Sequence, residues 1–324
     1  MQNRWDYFDQ MKGIAILFVV IGHVFLFSFH DTNTAVDSLL TIFHMPVFFY
    51  ISGFLAYSGA IKITTKKEYG ERIWKKTHAL LLPYLVFAGI YCFFSGRDYV
   101  HLLLGGGAEY WFMYVLLLLS LFFVSIEQVA KRLKHPALYV TAWLVPYALL
   151  IYVQRRYGEI GGGVFAINQL VAYYRFYLLG FLCKKYMRLN ELVFNNQYVY
   201  AIGVVTFFTR WYWGMSCNMI VSFMGITGAI IIMQNYLVSR GQQQSASLKL
   251  LSYIGKNSLE IYLIQYFLLP DVSHFVQPYF EVPNGFVWQL LLALVLTIPI
   301  TAICIFIGNV IKLNKPLRWL MLGK

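Results

Sequence analysis

The sequence predicts an all-α integral membrane protein, a polytopic bundle of about ten transmembrane helices with both termini in the cytoplasm. Three observations lead there. Of the 324 residues, 59% are hydrophobic and only 12% are charged, whereas soluble domains carry roughly 45–50% apolar and about 25% charged residues. The apolar residues gather into runs of spanning length, which takes about 20 residues. The basic residues alternate between loops in the pattern that orients membrane proteins. So little charge cannot cover a globular surface, which makes a soluble enzyme, a disordered chain and a secreted disulfide scaffold poor readings.

Taken in order, the first run, 11–29, opens at Lys12 and has no small-residue cleavage site behind it, so it reads as a retained span rather than a signal peptide. The second, 39–58, carries Pro46 and Gly53, which predict a helix that bends or packs tightly. The third, 79–95, follows the basic stretch ERIWKKTH. Segments 110–126 and 137–153 come next, then 166–183, which holds Arg175. The last four are 198–213, 217–237, 259–277 and 286–311. Segments three to seven are short, which points to tilting or merging. The whole chain, 1–324, reads as one transmembrane domain without internal repeat or low-complexity segment, and its longest polar stretch, Ser239–Lys249, is a loop.

Twenty-six Lys and Arg against 14 Asp and Glu give a net charge of +12. The distribution says more than the sum. With the N-terminus inside, 21 of the 26 basic residues fall in cytoplasmic segments, only Arg97, Arg155, Arg156 and Arg210 fall outside, and Arg175 lies within a span. A charge spread over short membrane-flanking loops argues against a nucleic-acid partner and for a multi-pass protein of the cell membrane. Cys92, Cys183, Cys217 and Cys304 sit in apolar stretches without CxxC spacing and read as buried small hydrophobes rather than metal ligands.

Ionisable groups inside spans are costly and face the bundle interior or a wet cavity. His23 lies in IGHVF, eleven residues beyond Lys12, or about 16 Å along a helix. His44, in IFHMPVFFYISGF, opens the returning second span, so the two imidazoles are expected at similar depth. A neutral imidazole accepts a proton from a hydroxyl and returns it near pH 7. A buried lone histidine is more often a hydrogen-bonded structural group, and His44 is taken as a supporting one. His23, beside Gly22 in a span free of other charge, is the candidate base. Arg175 cannot lose its charge and needs a carboxylate, an anionic ligand or water. The few candidate carboxylates deep in the membrane are Glu260, near the inner end of the ninth span, and Glu109, near the outer start of the fourth, and a ligand phosphate or thioester oxygen is the alternative partner. Asp9 suits a helix start and a salt bridge to Lys12. Arg72 and Lys75, at (i, i+3), share a helix face that suits several phosphates, although orientation alone also explains them.

YFDQMKGIAILFVVIGH, FHMPVFFYISGFL, ERIWKKTHALLLPY, YWFMYVLLLL and GKNSLEIYLIQYF, in that order from Tyr7 to Phe267, resemble the membrane-bound acyltransferase-3 family. The first two motifs are specific and the rest supportive. The resemblance implies a stand-alone enzyme that O-acylates a cell-surface or lipid-linked glycan from cytoplasmic acyl-CoA, by default acetyl-CoA, with no permanently bound cofactor. His23 would be its catalytic residue, with Lys12, Arg72, Lys75 and Arg175 on the CoA phosphates and Asp9 and His44 in support. Lys12 stands where many members have Arg, keeping the charge without the planar fork. Gln265 stands where the late motif often has His, so no catalytic role carries to it. A transporter using His23 and Arg175 is the competing expectation; it accounts for the charges but not for the motif series, and no pair of similar halves is visible.

Overall fold

A computed structural model describes residues 6–30, 44–57, 65–96, 98–100, 108–133, 135–157, 164–213, 219–240, 245–280 and 285–324. The described residues are helical, without a strand. The helices are α1 Asp6–His23, α2 His44–Ala56, α3 Lys66–Ser95, α4 Trp111–Ala130, α5 Pro136–Tyr157, α6 Ile167–Lys185 and α7 Met187–Phe194. Then come α8 Gln197–Trp213, α9 Met219–Arg240, α10 Ala246–Lys256, α11 Ser258–Ile264, α12 Ser273–Phe280, α13 Gly285–Leu313 and α14 Lys315–Leu322.

Among the described residues six helices are long and apolar enough to cross a membrane: Asp6–Phe29, Lys66–Ser95, Trp111–Ala130, Ala137–Tyr157, Ile220–Ser239 and Val287–Leu313. They coincide with six of the predicted segments. Two more predicted segments coincide with shorter apolar helices, His44–Ala56 and Gln197–Thr209, and 166–183 coincides with α6. The start of the second predicted span, 39–43, and Cys217 lie outside the described residues. Cys92, Cys183 and Cys304 are buried free thiols.

Two segments differ from expectation. Helix α3 starts well before residue 79, at a capping box in which the Thr65 hydroxyl accepts from Glu68 N–H (3.2 Å) and the Glu68 carboxylate accepts from Thr65 N–H (3.1 Å). Arg72, Lys75 and Lys76 therefore ride on the helix itself. The predicted ninth span, 259–277, is not one continuous helix: α11 ends in a 3₁₀ turn, Gln265–Phe267, and α12 begins only at Ser273. Pro270 disfavours the helical conformation for the residue before it. Asp271 then turns the chain, its carboxylate accepting from Ser273 N–H (3.1 Å) and Oγ (2.7 Å).

The chain divides into two compact units, one of residues 1–48 and 186–310, the other of 49–185 and 311–324. In the first, α1 packs along α10, and α8 along α9. Gly13 lies against the Leu251 carbonyl and Gly255 against the Asp9 carbonyl, so close that a Cβ at either position would collide with backbone. Small residues allow such approaches between membrane helices. Replacing Gly255 by Val should cost at least about 1–3 kcal/mol through overpacking, read as a lowered unfolding midpoint of the purified protein. An unchanged midpoint would refute the tight seam.

In the second unit, α4, α5 and α6 gather an aromatic core. The Phe123 ring lies 4.7 Å from Trp143, 4.5 Å from Tyr177 and 5.5 Å from Phe181. Buried phenols are bonded: Tyr174 donates to the Trp143 carbonyl at 2.8 Å, and Tyr177 pairs with Ser120 at 3.3 Å. The tight packing expected at Gly53 occurs, with Gly53 against the Tyr177 carbonyl and Gly180 against that of Tyr50. At one edge of this core Glu127 is buried, accepting from the Tyr139 hydroxyl at 2.6 Å and facing the Lys185 ammonium at 3.6 Å. Lys185 also lies over the Tyr139 ring, 3.2 Å from its centroid. Burial pulls the Lys185 ammonium below its usual range, while the Glu127 carboxylate pushes it back up.

Candidate functional site

Helix α1 carries a polar pair at one end and an imidazole at the other. Lys12 and Asp9 form an (i, i+3) ion pair at 2.7 Å, with the Asp9 side chain only 6% exposed. The salt bridge expected between them is therefore present. Eleven residues on, His23 closes the α-helix, and the chain continues as a π-helical turn, Val24–Phe29, that ends at His30 with φ 55°. Wide turns of this kind are found frequently at functional sites. The Ser28 carbonyl accepts from Val272 N–H at 3.0 Å, and His30 faces Asp271 at 3.3 Å, so the turn before α12 is tied to this end of α1.

His23 is half-buried. Its Nε2 is hydrogen-bonded to the Tyr266 hydroxyl at 3.2 Å, and the two rings lie 4.8 Å apart. With Nε2 unprotonated, the phenol donates. Phe27 stands edge-on to both rings, 5.8 Å from His23 and 5.9 Å from Tyr266. Gln265, fully buried, lies beside the imidazole, and its amide donates to the Tyr262 carbonyl at 3.4 Å. His44, buried at the start of α2, is within electrostatic reach of His23, so the two predicted imidazoles come together. The result is an imidazole nitrogen bonded to a hydroxyl, with a second imidazole and a carboxamide close to the ring.

The remaining predicted residues belong to the second unit. Arg72 on α3 donates through Nη2 to the Ala56 carbonyl at 3.0 Å and lines a small cavity with Tyr57, Glu127, Gln128 and Lys131. That cavity holds about 20 Å³, room for about one water. Lys75 is exposed, whereas Lys76 is half-buried and within electrostatic reach of Arg72. Residues four apart share a helix face as readily as residues three apart, and here the (i, i+4) pair is the inward one. Arg175 donates through Nε to the Ala172 carbonyl at 3.2 Å, lies over the Phe176 ring at 5.2 Å, and is within electrostatic reach of Tyr147 and Tyr173. Of the carboxylates considered for it, Glu109 is buried beside Tyr110, and Glu260 is buried in the first unit against Gly308. Among the described residues no three His, Cys, Asp or Glu gather as metal ligands would.

Sequence reasoning missed Tyr266, placed Lys76 in the basic group before the third span without a binding role, and gave Gln265 no role. Gln265 and Tyr266 are adjacent in LIQYF, and the only signal for them was that this motif follows the first two in a fixed order.

A family model described as an acyltransferase domain matches residues 5–306. Nodulation protein NolL of Sinorhizobium fredii is 29% identical over 201 residues, 56% of this chain and 49% of that protein. Nodulation protein NolL of Mesorhizobium japonicum is 26% identical over 231 residues, 65% of this chain and 57% of that protein. The chain thus spans about half the length of these curated relatives. No solved structure matches it.

Proposed function

Because the chain belongs to the acyltransferase domain family, matched over residues 5–306, we propose that it moves an acyl group, by default acetyl, from cytoplasmic acyl-CoA to a hydroxyl of a cell-surface or lipid-linked glycan. The observation that carries this reading is the surroundings of His23, whose Nε2 is bonded to a hydroxyl at 3.2 Å. An acceptor hydroxyl that takes the place of Tyr266 on Nε2 meets a base already oriented for it. His23 removes the acceptor proton as the oxygen attacks the thioester carbon; the C–O bond forms, the C–S bond breaks, and the proton passes from the imidazolium to the departing CoA thiolate. His44 and Gln265 support the ring. Binding energy for the donor comes from cations: Lys12, oriented by Asp9, with Arg72, Lys75 and Arg175, engages the CoA phosphates. Lys76 joins them through its place beside Arg72.

On this reading the chain is a single catalytic domain of the cell membrane, with ten membrane segments and both termini cytoplasmic. The 21-to-4 division of basic residues supports that orientation. No cofactor stays bound.

Acetyl-CoA or CoA is expected to raise the unfolding midpoint of the purified protein. A hundredfold excess over Kd corresponds to roughly 2.7 kcal/mol. Differential scanning fluorimetry in detergent reads the shift. No shift with either ligand, together with proton-dependent solute uptake in proteoliposomes, would refute the enzyme reading.

A further inference from the structure

Away from the catalytic reading, the second unit carries a groove of about 500 Å³ between α4 and α5, lined almost wholly by apolar side chains. Phe122, Ile126, Val129 and Leu133 form one wall, and Ala142 and Val145 belong to the other. The groove exists because the facing residues are small or turned aside: Ala142 and Thr141 offer little volume, and Pro146 interrupts the hydrogen-bond ladder of α5. Its one wall hydroxyl on α4, Ser125, is already committed to the Leu121 carbonyl and the Tyr69 phenol, which leaves no polar floor to hold water.

Two features identify the occupant. The groove follows α4 from Phe122 to Val129 and α5 from Leu138 to Pro146, with Leu133 just past the end of α4; at the helical rise that is about 10–12 Å, which fits within one leaflet of a hydrocarbon core about 30 Å thick. Only 11% of the apolar window of α5 is buried, so the groove opens toward lipid rather than into the protein. At the end where α4 turns into α5, the exposed cations Lys131 and Arg132 sit in the chain between the lining residues Val129 and Leu133. An apolar groove that fits within one leaflet, with positive charge at the headgroup end, is the complement of an anionic phospholipid. We infer that the α4–α5 groove is a binding site for an anionic phospholipid, with an acyl chain along Phe122–Leu133 and the headgroup phosphate at Arg132. Nothing in this inference depends on His23 or on the transferred group.

The protein, purified in mild detergent and exchanged against equal amounts of phosphatidylglycerol and phosphatidylcholine, is expected to retain phosphatidylglycerol several-fold over phosphatidylcholine by native mass spectrometry. Ala142→Trp fills the groove from its lipid side and should lose the bound phospholipid. Arg132→Gln leaves the groove intact and should keep a phospholipid while losing the preference for negative charge. Equal retention of the two lipids by the unaltered protein, or unchanged retention in Ala142→Trp, would overturn the inference. Recovery of a polyprenyl-linked lipid in place of phospholipid would overturn it as well.

Discussion

His23→Ala is expected to abolish measurable acyl transfer while leaving the protein folded and inserted. General-base catalysis by a positioned imidazole contributes roughly 10²- to 10⁴-fold, and Nε2 of His23 is the nitrogen bonded to the Tyr266 hydroxyl. The substitution removes a half-buried ring at the point where α1 passes into its π-helical turn, and Ala favours helix. Expression and membrane insertion should therefore persist, and binding of CoA should be unchanged, since the proposed phosphate-binding cations are untouched. Tyr266→Phe separates two roles for the neighbouring phenol. It keeps the ring packed against His23 and Phe27 and removes the hydroxyl, so it should change the pH profile of transfer more than it changes stability. Acceptor acylation that persists in His23→Ala, measured by mass spectrometry of surface glycans, would remove His23 from the mechanism.

The second large effect concerns stability. Lys185→Met should cost about 3–5 kcal/mol, because removing one partner of a buried ion pair leaves the other charge uncompensated. Glu127 is nine-tenths buried and would keep only the Tyr139 hydroxyl as donor, which places the expectation near the lower end. The paired change Glu127→Gln with Lys185→Met removes the stranded charge, retains a hydrogen-bonding partner for Tyr139, and should recover most of the loss. Unfolding of the purified protein in detergent measures both. A double variant as unstable as Lys185→Met alone would show that the aromatic packing of the lysine stem over Tyr139, rather than charge pairing, holds this edge together.

Membrane helices were legible because their signal is compositional and long. The runs 110–126 and 286–311 need no partner to be recognised, since lipid imposes length and apolarity on each one alone. The break in 259–277 was less visible, because Leu268 and Leu269 keep the stretch apolar while Pro270 and Asp271 turn the backbone. His23 stood out as the rare ionisable group in an otherwise uncharged span. Tyr266 could not, in a chain with 25 tyrosines, because only the approach of 3₁₀ turn to helix end makes one phenol special. Lys75 was preferred to Lys76 on spacing that fits both; which of two adjacent lysines faces inward is decided by the packing of α3. The Glu127–Lys185 pair is 58 residues apart in the chain and left no local pattern to read.

The change of winding at His23 divides α1 into a ruler and a length of slack. Each residue added or removed between Lys12 and His23 would swing the imidazole about 100° around the helix axis, away from Tyr266 and His44, so that spacing admits no variation in length. Beyond His23 the turn Val24–Phe29 already holds more residues per revolution than an α-helix does. A deletion there can be taken up by tightening, with the imidazole left where it is. Insertions and deletions along this helix are therefore tolerated on one side of the histidine only, and the stretch beyond His23 can change length without moving the imidazole relative to Lys12.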